Sequence, residues 1–188
     1  FIAGRSISSP NLVFSKYSPT LKIAGIVLAI LGLGISTIKQ IDAGEVGVQS
    51  VFGKVVPETL SSGLNFVNPI ATIYSFDAKT QNYTMSAVHD EGDRNGDDAI
   101  RVLTADGLEV VVDLTVLFRI IPGEAPRILK EIGTDYKDKV VRPITRTMIR
   151  DNAVYYDAVA LYSLKRNEFQ TRIYNDIEKN FKKRGLVL

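Results

Sequence analysis

The sequence predicts an α+β fold, strands first and helices after, behind an N-terminal helix that crosses a membrane. Three observations predict it. Residues 23–38 read IAGIVLAILGLGISTI without a charge, residues 109–121 alternate in polarity, and Phe169, Ile173, Ile177 and Phe181 recur every four residues in an otherwise charged stretch. An unbroken apolar run suits lipid, period two suits a half-buried strand, and spacing four suits one buried helix face. A chain of 188 residues has room for one ordinary domain, or two small ones, plus an anchor.

After an N-terminal segment, residues 1–20, the transmembrane helix is expected over residues 21–41. The uncharged run lies between Lys22 and Lys39 and would span roughly 24 Å at about 1.5 Å per residue. That is short of a hydrocarbon core of about 30 Å, but Leu21 and Ile41 extend it and both lysines can snorkel. A buried core helix is the competing reading. It is disfavoured because Ile26, Val27, Leu28, Ile30 and Leu31 go round the whole circumference. A cleaved signal peptide would end in an A-x-A-like site, and none stands there. Arg5, Lys16 and Lys22 before the run put the N-terminus on the cytoplasmic side and the folded part across the membrane. Within the run Gly25, Ala29, Gly32 and Ser36 form a stripe of small residues on which another helix could pack, although small residues are common in spans in any case.

Strands follow. Val46–Phe52 alternates toward Gly53, Lys54–Val56 precedes Pro57, and Gly63–Ile70 is a hydrophobic turn punctuated by Gly and Pro. Further strands are expected over 72–77 and 82–88. The strongest runs from Glu109 to Ile121, with Val110, Val112, Leu114, Val116, Phe118 and Ile120 on one face, until Pro122 stops it. The chain is helical thereafter: Glu124–Ile132 ended by Gly133, a helix capped by Thr134 or Asp135 running to about Asp151, and a last helix from Ser163 to Arg184 closed by Gly185. Sheet first and helices second is the α+β pattern. The chain opens on Phe1 and closes on Gly185-Leu186-Val187-Leu188, which reads as the start of a strand, so it is read as an internal portion of a longer protein.

Two surfaces are singled out. The turn carrying Leu64, Phe66, Val67 and Ile70 is expected at the membrane surface, the alternative being that the four fill a core. On the last helix Arg172, Asp176, Lys179 and Lys183, with Glu168 and Glu178 slightly round, interleave both signs. That suits contact with an identical neighbour, the alternative being a solvated face.

Composition removes other classes. Twenty-three basic against 21 acidic residues leave no footprint for nucleic acid, and without Cys there is no disulfide or zinc–thiolate site. In the acidic stretch His89–Asp98, Glu91, Asp93 and Asn95 meet the first three ligand positions of an EF-hand loop around Gly96, but Val102 stands where the bidentate Glu is required. His89 is the sole histidine, no G-x-S-x-G elbow accompanies it, and neither a Walker loop nor G-x-G-x-x-G occurs. No catalytic residue, cofactor site or metal site is assigned.

Four stretches resemble the prohibitin branch of the stomatin–prohibitin–flotillin (SPFH, or band 7) family. They are Ala43-Gly44-Glu45-Val46-Gly47-Val48 with Phe52-Gly53-Lys54-Val55, then Ser62-Gly63-Leu64-Asn65-Phe66-Val67-Asn68-Pro69. The third is Leu103–Gly107 leading into Val111–Arg119. The fourth is Val141-Arg142-Pro143-Ile144 with Arg146, Arg150, Leu161-Tyr162-Ser163 and Lys165-Arg166. The resemblance implies an SPFH domain over 42–188, in two subdomains at about 42–90 and 99–188. It also implies a C-terminal coiled coil that this chain lacks. By the same resemblance the protein is a non-enzymatic scaffold assembling into large membrane-attached homo-oligomers. A homologous subunit, membrane lipid and an FtsH-type AAA protease are the implied partners. The other class of function is a lipid- or ligand-binding receptor-like module working as a small oligomer.

Overall fold

The structure is a computed structural model that describes residues 12–88, 92–93 and 96–188, and in the first helix the side chains from Lys22 on except Ala29 and Leu33. The described chain divides into two compact units: one up to Lys39 with Phe66–Pro69, the other Gln40–Asn65 with Ile70–Leu188.

In the first unit, α1 runs Leu12–Ser36. Its described side chains Ile23, Ile26, Val27, Leu28, Ile30, Leu31 and Ile35 are all exposed, on every face. The helix ends where the Thr37 hydroxyl donates to the Gly34 carbonyl at 2.6 Å. The expected span to residue 41 is therefore too long at its end: Ile38–Ile41 is strand β1. From Lys22 to Ser36, α1 is roughly 22 Å long at about 1.5 Å per residue. No helix among the described residues is long and apolar enough to cross a membrane. The Val67 N–H donates to the Thr37 carbonyl at 2.7 Å and fixes the turn of this unit.

The second unit begins with β2 (Glu45–Val51), β3 (Lys54–Leu60) and β5 (Thr72–Asp77), in the order β3-β2-β5, all antiparallel. Pro57 does not stop β3, contrary to the expected short strand. Between the pairs Val48↔Thr59 and Ser50↔Val55, the residues Val56, Pro57 and Glu58 face Gln49 alone, so the missing N–H falls in a bulge on an edge strand. β1 pairs with β4 (Gly63–Phe66). At Gly47 an added Cβ would stand 2.8 Å from Ile41 Cδ1 and 3.1 Å from Leu60 Cβ, so only glycine lets these side chains close over β2.

A second sheet has the order β10-β9-β6, with β6 at Gln81–Met85, β9 at Leu114–Ile120 and β10 at Leu186–Val187. β7 (Ile100–Leu103), which the sequence reading missed, forms a hairpin with β8 (Glu109–Val112). The long alternating strand is thus split at Asp113, whose carboxylate accepts the Ala87 N–H at 3.0 Å. Its period survives the break: Val110, Val116, Phe118 and Ile120 are buried and Val112 and Leu114 half-buried.

Helices close the other side of this core. α2 (Ala125–Glu131) ends at Gly133, φ 101°, whose N–H donates to the Ile128 carbonyl. α3 (Arg142–Ala153) follows a π-helical turn, Lys137–Val141, in which the Arg142 N–H reaches back to Lys137. Pro143, lacking an N–H, is tolerated because it sits at the start of α3. A short α4 (Ala158–Tyr162) precedes α5 (Arg166–Lys182). α5 starts later than expected because the Ser163 hydroxyl donates to the Val159 carbonyl and caps nothing. Phe169, Ile173, Ile177 and Phe181 are buried as their spacing predicts. Phe181 meets Phe118 edge-on at 6.3 Å, and Phe118 meets Tyr136 the same way. No coiled coil stands among the described residues.

Candidate functional site

Among the described residues no group of three His, Cys, Asp or Glu could hold a metal ion. His89, Glu91 and Asn95 lie outside the described residues. Asp93 points its carboxylate at the Thr84 N–H, 2.5 Å away, which spends it on the backbone.

A buried polar cluster among the described residues is one the sequence reading missed. Asp98, the last residue of the acidic stretch, is buried. Its carboxylate takes both Nε and Nη2 of Arg142, the former at 3.1 Å, and Nη1 of Arg146 at 3.0 Å. Arg146 also donates to the Asp98 and Ala99 carbonyls, at 2.9 and 3.3 Å. Burial first and the neighbouring Arg142 charge second hold Arg146 below the usual arginine value. The cluster ties the entry to β7 onto α3. The signal available was Arg142 and Arg146, one turn apart beside Val141, Thr145 and Ile149, which their spacing marks as buried.

The remaining candidates are surfaces. On α1 a Cβ added at Gly25 or Gly32 would meet nothing within 4 Å, and Ser36 is half-buried. The side chain of Ala29 lies outside the described residues. In β4 and the turn after it, Leu64 is 74% exposed, Phe66 84% and Ile70 61%. The pleat of β4 sends Leu64 and Phe66 to one face, while the Asn65 amide turns back to the Ser61 carbonyl at 2.7 Å. Val67 does not join them: it is only 6% exposed and must be removed from the expected membrane-facing set.

On α5 the four charged residues divide. Arg172 stacks over the Tyr155 ring, 4.4 Å from its centre. Asp176 is half-buried and accepts a hydrogen bond from the Asn152 amide at 2.9 Å, which makes it part of the α3–α5 contact. Lys179 and Lys183 are exposed. Glu168 takes the Tyr156 hydroxyl at 3.1 Å and Glu178 pairs with Lys182 at 2.8 Å. The exposed charge on this face is therefore more basic than the sequence reading expected.

Between the β8–β9 strands and α5 lies a groove of about 990 Å³, whose walls include Val111, Leu117, Tyr162, Phe169, Ile173 and Tyr174. Its lining is mostly apolar, with Asp113, Arg119 and Arg166 among it, so it could take an apolar group.

No curated protein matches the chain. Residues 39–188 match the family model described as SPFH domain / Band 7 family.

Proposed function

Because the chain belongs to the SPFH domain / Band 7 family, we propose that it is a membrane-attached scaffold subunit that assembles with copies of itself into a large ring or cage. Family membership is consistent with a membrane scaffold, and proteins of this family are generally not enzymes. The observation that carries the reading is α1. Its apolar side chains stand exposed on every face, an arrangement that water penalises by about 1.5–3 kcal/mol per large side chain and lipid does not. Leu64, Phe66 and Ile70 add a second exposed apolar group that suits shallow contact with the bilayer.

In this reading the N-terminus lies on the cytoplasmic or matrix side, by Arg5, Lys16 and Lys22 ahead of the uncharged run 23–38, and the SPFH domain lies across the membrane in the periplasm or intermembrane space. The assembled patch encloses membrane lipid and, in the prohibitin-like form of the reading, an FtsH-type AAA protease. Alkaline carbonate should leave the chain in the membrane fraction. Protease added to spheroplasts should cut within residues 60–188 while a cytoplasmic control survives. Release by carbonate overturns the attachment, and protection of the domain reverses the topology.

The apolar groove favours a second reading, a lipid- or ligand-binding module working as a small oligomer. Particle size separates the two.

A further inference from the structure

We propose that the β2–β3 hairpin tip, Phe52-Gly53-Lys54, is a second point of contact with an anionic bilayer; this rests on the membrane reading above. The lead is backbone geometry. The pair Val51↔Lys54 closes a two-residue turn in which Phe52 has φ 50° and Gly53 φ 82°. Positive φ at both central positions is the I′ turn, which favours Asn-Gly or Gly-Gly. Among the described residues Phe52 is the one non-glycine residue with positive φ, and a bulky residue there is strained. Nothing in the fold compensates, since the side chain is 88% exposed. An aromatic held in a disfavoured conformation and packed on nothing implies that something outside the chain covers it.

The charge distribution along the sheet selects the occupant. The register Ser50↔Thr72 puts the tip at the same end of β3-β2-β5 as exposed Ile70. No acid occurs in residues 46–57 or 70–76, and Lys54 is exposed beside Phe52. At the opposite end Glu45 faces Asp77 directly across the strands, with Asp42 in the preceding turn and Lys79 packed beside Gly44. One end thus carries Lys54 and no acid, while three carboxylates against one lysine leave the other acidic. That polarity suits an anionic headgroup layer at the Phe52 end, with the aromatic ring at the headgroup boundary and the acids held away. A neighbouring copy presenting mixed charge would not require it.

The chain contains no Trp, so a single introduced Trp reports its own surroundings. The full chain with Phe52→Trp, and separately with Phe66→Trp, is reconstituted into vesicles of phosphatidylcholine and phosphatidylglycerol with or without bromine on the acyl chains. The Phe52→Trp chain should show blue-shifted emission that the brominated lipid quenches, and adding Lys54→Glu should weaken the quenching. Quenching in the Phe66→Trp chain but not the Phe52→Trp chain overturns this proposal and leaves the membrane reading standing. No quenching in either overturns both. A blue shift in detergent that grows with protein concentration, without quenching in vesicles, identifies a second copy as the occupant and also overturns the proposal. Phe52→Asn supplies an independent arm: it should raise the unfolding midpoint, because Asn relieves the turn. A lowered midpoint would make Phe52 a packing residue and refute the argument.

Discussion

Replacing Asp98 by Asn keeps the shape of the side chain and removes the charge on which two guanidinium groups converge. Arg142 and Arg146 retain 24% and 19% of their side-chain exposure, so water screens them in part. Breaking a buried pair by removing one partner costs about 3–5 kcal/mol, and this residual exposure sets the expectation at the lower end, about 3 kcal/mol. For a domain of this size about 2–4 °C accompanies each kcal/mol, so the midpoint should fall by about 6–12 °C. Thermal unfolding followed by circular dichroism in detergent micelles measures it. The cost should shrink when Arg146→Met is already present, because one of the stranded charges is then gone. A loss below about 1 kcal/mol, or one unchanged by Arg146→Met, would refute the claim that Asp98 neutralises these arginines.

Other outcomes follow from single contacts. Gly185 has φ 81°, and an added Cβ would stand 2.6 Å from the Glu124 Cβ, an atom that cannot swing away. Gly185→Ala should therefore cost about 2 kcal/mol in urea unfolding and loosen β10, whose approach to β9 includes the Ile121 N–H on the Gly185 carbonyl. Asp106 accepts the Thr104 hydroxyl at 2.5 Å and the Ala158 N–H at 3.2 Å, which caps α4 from a distant turn. The Thr104 hydrogen bond, ahead of the backbone donors, holds its carboxyl below the usual Asp value. The lowered value means that its stabilisation is present above the ordinary Asp range and lost as pH falls through the folded-state value. Asp106→Asn should accordingly flatten the acid side of a midpoint-versus-pH curve below pH about 4. Reversing Arg172, Lys179 and Lys183 together to Glu should shrink the assembled particle while circular dichroism stays unchanged; a full-sized particle would mean the face is only solvated.

What the sequence disclosed and what it hid follow from the range of the forces involved. Period two over 109–121 and spacing four in α5 are set by burial on one face, and both survive in the structure down to which residues turn inward. Gly133 and Gly185 mark the ends of α2 and α5 because their positive φ is local. The end of α1 was misplaced because Ile38 and Ile41 are as apolar as the helix before them, and hydropathy alone does not distinguish a strand there. Asp98 looked like part of an acidic loop, since its two arginine partners lie more than forty residues away. Val67 and Phe66 are adjacent and equally apolar, yet only the Val67 side is covered. α4 was missed for its length and because its cap, Asp106, comes from another turn. Phe52 gave no sequence signal beyond standing before Gly53.

The central claim is self-assembly at a membrane, and particle mass after mild detergent extraction tests it most directly. The full-length protein, extracted and measured by mass photometry, should run as a closed particle of megadalton scale, since a ring repeats one interface many times. A particle of fewer than about four protomers would contradict the scaffold and favour the binding module in its place.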